Sequence, residues 1–68
     1  MYGNKDEKQA RLEKIVALVA KASEGITQAA LARLLRVTRA TIHKDLVALE
    51  DQGIRLAEDK AGRLIWPD

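Results

Sequence analysis

The sequence predicts a mostly helical α+β fold in which three α-helices precede a small β-hairpin. Apolar residues recur at three- and four-residue spacing over most of the first fifty positions, which is typical of amphipathic helices. Thr27 and Thr38 stand where helix N-caps are expected. The last fifteen residues instead alternate apolar and polar around a turn, which indicates two paired strands.

Length and composition allow one small core and exclude most site chemistries. With 68 residues we expect one domain over 1–68, and eighteen Ile, Leu and Val without any Phe predict an aliphatic core. No cysteine and a single histidine argue against disulfides and a structural zinc site. No apolar run is long enough for a membrane span, and the N-terminus lacks a signal-peptide apolar region. We therefore expect a cytoplasmic, non-enzymatic protein without metal or cofactor.

The first helix is predicted at about residues 5–23. Asn4 followed by Glu7 resembles a capping box, and Gly25 fits the left-handed position beyond the last turn. One apolar stripe is expected to face the core. Its members are Leu12, Ile15, Val16, Val19 and Ala22.

Two further helices are predicted at about 28–34 and 39–52, capped by Thr27 and Thr38, with Gly53 ending the second. The residues expected to face inward are Ala30, Leu31, Leu34, Ile42, Leu46 and Leu49. Two short helices joined by a tight turn have the layout of a helix-turn-helix. An ordinary three-helix bundle is the alternative.

The hairpin is predicted at about 54–66, with a type I turn over 59–62 closed by a left-handed glycine. Its apolar face is expected to dock on the helices, with Trp66 completing the core. Ile26 is expected to add a strand of one or two residues. The order helix, short strand, helix, helix, strand, strand is that of a winged helix.

Charged residues are unevenly distributed along the chain. The formal net charge is only +2, with a pI near 9.2, but residues 25–44 contain four bases and no acid. These bases are Arg33, Arg36, Arg39 and Lys44, and His43 lies beside them. Bases at the start of the third helix oppose the helix dipole, so their placement favours a polyanionic partner such as the DNA major groove. Acids occur instead in a cap and a turn (Asp6/Glu7 and Glu58/Asp59), where we expect no catalytic cleft.

Residues 38–46 read Thr-Arg-Ala-Thr-Ile-His-Lys-Asp-Leu, which resembles the recognition helix of DeoR-type repressors and biotin-repressor-like bacterial regulators. The resemblance extends over the winged helix-turn-helix of residues 26–66. It implies base contacts by Arg39, Ala40 and His43, and backbone contacts by Thr38, Thr41 and Lys44. It also implies that Asp45 has a structural role, orienting an arginine.

These observations together predict a sequence-specific double-stranded DNA-binding protein, a transcriptional regulator such as a repressor from a bacterium, phage or plasmid. Thr27 and Arg36 are further expected backbone contacts, and Lys60 and Arg63 are expected in a basic wing. A module this small suggests a homodimer or a larger regulatory partner, with no membrane partner and no evident small-molecule effector. The alternative is a winged-helix adaptor that binds protein, which has no evident need for the basic block.

Overall fold

The computed structural model describes the backbone of residues 3–67 and the side chains of residues 7–67. Within that range the elements are α1 (Gly3–Lys21), β1 (Ile26–Thr27), α2 (Gln28–Leu35), α3 (Arg39–Asp51), β2 (Ala57–Glu58) and β3 (Arg63–Ile65). This arrangement confirms the predicted fold, a winged helix with three helices and a small antiparallel sheet. None of the helices in the described range is long and apolar enough to cross a membrane.

The expected helix boundaries are correct to within two residues. Helix α1 begins slightly earlier than predicted, so the proposed cap residue Asn4 lies within its first turn, and the side chain of Asn4 is outside the described part of the chain. The hydroxyl oxygens of Thr27 and Thr38 each accept a hydrogen bond of 3.1 Å, from the backbone N–H groups of Ala30 and Thr41 respectively. Both predicted N-caps are therefore confirmed, and they fix where α2 and α3 start.

The sheet has the strand order β1-β3-β2, and both pairings are antiparallel. The strands are shorter than the predicted hairpin, because only two residues of β1 and two of β2 flank β3. In the turn, the Asp59 carboxylate accepts hydrogen bonds from the N–H groups of Ala61 and Arg63, and Gly62 has a φ of +82°. The predicted turn chemistry is confirmed.

The core combines all three helices with the central strand. Its buried apolar residues are Leu12, Ile15, Val19, Leu31, Ala32, Ile42, Leu49 and Leu64. Two expected core positions are wrong. Leu34 is 61% exposed, because α2 buries the stripe that contains Leu31 and Ala32, and Leu34 lies well away from it. Trp66 is 47% exposed because β3 ends at Ile65, so Leu64 and not the indole closes the core. Leu46 is partly buried and packs against the core as expected, and Asp45 occupies the fully buried position beside it.

The turn between α2 and α3 contains an arginine in a left-handed conformation. Arg36 has φ +60° and ψ +44°, a region in which a side chain is strained and glycine is usual. The N–H of Val37 donates to the carbonyl of Ala32 at 3.0 Å, which closes the end of α2 as a Schellman motif does. This tight closure brings the start of α3 close behind the end of α2.

Candidate nucleic-acid interface

The N-terminal half of α3 presents one face to the solvent and buries the other. Ile42 and Asp45 are buried, whereas Arg39, His43 and Lys44 are exposed. Ala40 is also exposed, so the backbone beside Arg39 is accessible. Among residues with described side chains, no ion pair engages Arg39, His43 or Lys44. The cations expected to contact DNA therefore face outward and are not neutralised by carboxylates of the described chain.

The buried face of α3 is attached to α1 by an ion pair. Two nitrogens of the Arg11 guanidinium donate to the two oxygens of the Asp45 carboxylate, and the Nη2–Oδ1 distance is 2.9 Å. Asp45 is 1% exposed, and the side chain of Arg11 is 24% exposed. The hydrogen bond to Asp45 raises the pKa of Arg11 above its ordinary value, against the opposing effect of burial. Asp45 thus has the structural role that the resemblance implied, and the pair fixes how α3 is held.

The hydroxyl groups predicted to contact the DNA backbone lie at the starts of α2 and α3. Thr27 is half-buried, and its hydroxyl already caps α2. Thr38 is exposed, and its hydroxyl lies 3.0 Å from that of Thr41. Arg39, Thr27 and Gln28 border one cleft, so the structure brings the first turn of α2 close to the first turn of α3. The N-termini of two helices and a nearby guanidinium make this region attractive to anions.

Two further predicted contacts, Arg36 and Lys60, are exposed on connecting segments. Arg36 lies in the turn between α2 and α3, and Lys60 lies at the tip of the wing turn. Neither side chain forms an ion pair with a described carboxylate. Both cations are therefore accessible to a phosphate.

The wing is less basic than expected. Arg63 is on the central strand, and its Nη1 donates to the backbone carbonyl of Glu24 at 3.2 Å, so its guanidinium is held next to the α1–β1 loop. Glu58 and Asp59 directly precede Lys60. Across residues 57–63 two acids balance two bases. Lys60 remains the accessible cation at the wing tip, whereas Arg63 is partly engaged by the protein itself.

Sequence reasoning missed the position of Glu58. The sequence placed this acid beside the wing turn and gave it no role, whereas Glu58 is in β2 and borders a cleft with Arg39 and Gln28. The signal was present in the strand alternation, since Glu58 shares a face with Leu56. The sequence could not show how close the Glu58 face of the wing lies to α3.

No group of three or more His, Cys, Asp or Glu residues that could hold a metal ion occurs in the described part of the chain.

Comparison with known proteins supports a nucleic-acid interface. No curated protein and no solved structure matches the sequence significantly. A protein-family profile described as an HTH domain matches residues 11–62, which extend from within α1 to the end of the wing turn. The chain therefore belongs to the helix-turn-helix domain family, a family of DNA-binding and generally non-enzymatic domains.

Proposed function

We propose that the protein is a sequence-specific, double-stranded DNA-binding regulator of transcription, of bacterial, phage or plasmid type, that acts in the cytoplasm. One observation carries the proposal. Arg39, His43 and Lys44 are exposed together at the start of α3, while the opposite face of the same helix is buried and attached to α1. A helix held in this way offers its cationic end to a polyanion without rearrangement of the fold.

In the proposed mechanism the start of α3 enters the major groove. Arg39 is the candidate for bidentate hydrogen bonding to guanine, which is the commonest specific contact of this kind. Ala40 allows close approach and offers a methyl group to thymine, and His43 lies one helical turn further along the same exposed side. These three residues would read sequence.

Phosphate contacts would come from positions around that helix end. Lys44 and Arg36 are exposed cations, and Thr38 and Thr41 offer hydroxyl and backbone groups at the first turn of α3. Thr27 would contribute in the same way at the start of α2. In the wing, Lys60 is the stronger candidate for a phosphate contact, and Arg63 would have to exchange its bond to the Glu24 carbonyl.

A single module of this size buries only about 600–1,000 Å² on DNA. Useful affinity therefore favours two copies on a two-fold site or attachment to a larger regulatory partner. The test of the whole proposal is selection from a random duplex library at two salt concentrations. A recovered sequence motif supports specific recognition, and its symmetry reports whether two copies bind together. Recovery of no motif, with salt-independent binding, would contradict the proposal.

Two substitutions separate base reading from backbone attraction. Arg39→Ala is expected to reduce the preference at one base position by about 1–3 kcal/mol. Lys60→Ala is expected to weaken binding equally on all sequences and to reduce the slope of log affinity against log salt by about one unit. Fluorescence anisotropy titrations on the selected site and on single-base variants of it measure both effects. Identical behaviour of the two variants would count against the proposed interface.

A winged-helix adaptor that binds a protein is the second candidate, and the exposure of Leu34 is the observation that favours it. Leu34 lies beside Ala17, Leu18 and Leu35 in an apolar groove between α1 and α2. Leu34→Ser separates the two candidates, because it alters this groove and leaves the start of α3 unchanged. DNA binding is expected to survive this substitution. An adaptor would show no site in the duplex selection.

A further inference from the structure

Glu58 is an acid that the fold directs toward the helices. It lies opposite Leu64 in the antiparallel register of β2 and β3, and directly opposed residues project from the same face of a sheet. Leu64 is 3% exposed and packs in the core, so that face is the one turned toward the helices. Glu58 nevertheless remains exposed, because β2 is the edge strand. Its carboxylate therefore stands at the rim between the wing and α3.

Two clefts meet at Glu58, and each contains one of the residues expected to contact bases. The first cleft is bordered by Arg39 and the start of α2. The second lies between α3 and the wing and is bordered by His43. Gln28 borders both clefts as well. Arg39 and His43 are four residues apart on α3, so Glu58 faces the part of that helix that would enter the groove.

A carboxylate in this place has two physical consequences for a DNA-binding surface. It repels phosphates and so opposes sequence-independent attraction. It also attracts a guanidinium, with which it forms strong, directional hydrogen bonds. Glu58 and Arg39 form no ion pair in the described structure, although they border the same cleft.

We propose that Glu58 is a positioning residue for Arg39 and thereby determines sequence specificity. On DNA its carboxylate accepts a hydrogen bond from the guanidinium of Arg39, which leaves the remaining N–H groups directed at a base edge. The same charge keeps phosphate out of the cleft, so Arg39 does not engage the DNA backbone instead. The inference rests on the proposed function, because it assigns a role within base reading.

Glu50 provides a matched control on the same surface. It is also exposed and also borders the second cleft, but it does not border the cleft that contains Arg39. Its Oε2 is already paired with the Nε of Arg55 at 3.1 Å. Glu50→Gln therefore removes one acid from the α3–wing region without removing a neighbour of Arg39.

The experiment measures the affinities of Glu58→Gln and Glu50→Gln for two duplexes. One is the selected duplex, and the other is altered at the base pair for which Arg39→Ala removes the preference. For Glu58→Gln the affinity ratio between the two duplexes is expected to fall by about 3- to 10-fold, part of the discrimination that one bidentate contact supplies. Affinity for the altered duplex should rise, and the salt slope should steepen by up to about one unit as Arg39 turns to phosphate. Glu50→Gln should leave the ratio unchanged.

The double variant Arg39→Ala/Glu58→Gln separates positioning of the Arg39 side chain from a general effect of the negative charge on DNA binding. In the Arg39→Ala background, Glu58→Gln is expected to leave the affinity ratio unchanged, because no guanidinium remains to be positioned. Urea unfolding of each variant checks that the comparisons are made on folded protein. If Glu58→Gln leaves the ratio at its original value, or changes it equally with and without Arg39, the inference is overturned while the proposed function stands. If the unsubstituted protein selects no site, the proposed function itself fails.

Discussion

Removing the arginine of the Arg11–Asp45 pair tests whether α3 is held by charge or by packing alone. Arg11→Met keeps a long apolar side chain on α1 and leaves the Asp45 carboxylate buried without its cation. Asp45 is 1% exposed, so water cannot replace the lost partner easily. Within the described side chains no buried polar atom lacks a hydrogen-bond partner, and the substitution would create such atoms.

The expected loss of stability is about 3 kcal/mol. Breaking a buried ion pair by removing one partner costs about 3–5 kcal/mol, and the partial exposure of Arg11 favours the lower end of that range. A chain of this length is expected to have a free energy of unfolding of roughly 3–10 kcal/mol, so the variant loses a large part of it. The pKa of Arg11 is raised in the folded protein, so the stability that the ion pair contributes is lost only when the pH rises through this raised pKa. The difference between the two proteins should therefore be the same at about pH 7 and about pH 9.

Urea denaturation followed by circular dichroism measures the effect. With a slope of about 1 kcal/mol per molar urea, a loss of this size moves the midpoint down by about 3 M. Arg55→Met is the control, because it breaks the exposed pair with Glu50 and should cost less than about 1 kcal/mol. Replacing both members of the buried pair, as Arg11→Met with Asp45→Leu, should recover much of the stability. An unchanged midpoint for Arg11→Met would refute the idea that this pair holds α3.

Five further substitutions test the backbone, the core and one candidate DNA contact. Gly25→Ala should cost about 3 kcal/mol in urea denaturation, since its φ is +90° and a Cβ would lie 2.8 and 2.9 Å from two β3 side chains. Gly53→Ala has the same φ but open space, so it should cost only about 1–2 kcal/mol. Arg36→Gly should stabilise the fold by up to about 1 kcal/mol while weakening DNA binding and reducing the salt slope by about one unit, measured by urea denaturation and anisotropy. Ile42→Ala should cost about 2–5 kcal/mol and Leu46→Ala clearly less, because only Ile42 is fully buried.

The features that the sequence predicted correctly depend on interactions between residues close together in the chain. The caps at Thr27 and Thr38 are bonds between residues three apart. The Asp59 turn and the left-handed Gly25 and Gly62 also involve only a few neighbouring residues. Such features have residue signatures that hold in most structural contexts, so element order and boundaries could be inferred without coordinates.

The errors concern which face of an element is buried, which depends on residues far away in the chain. In α2 the pattern allowed two overlapping apolar stripes, and the packing against the rest of the core chose the one without Leu34. The full burial of Asp45 was not predicted, because its partner Arg11 lies 34 residues earlier in the chain. The exposure of Trp66 depends on where β3 ends, and the end of β3 depends on its pairing with the short strands β1 and β2. Glu58 became part of the candidate site only when the register of β2 on β3 was known.

The same long-range contacts explain how α3 can carry cations at its leading end. The helix has no acid in its first turn and no base in its last, so charge–dipole interactions give it no support. Local stability comes from the Thr38 cap, and the rest comes from burial of Ile42 and Leu49 and from the Asp45–Arg11 pair. Ile42, Asp45 and Leu49 lie on the inward side of α3, whereas Arg39 is exposed. The buried side therefore keeps the helix formed, so its exposed side can carry charges that are unfavourable to an isolated helix.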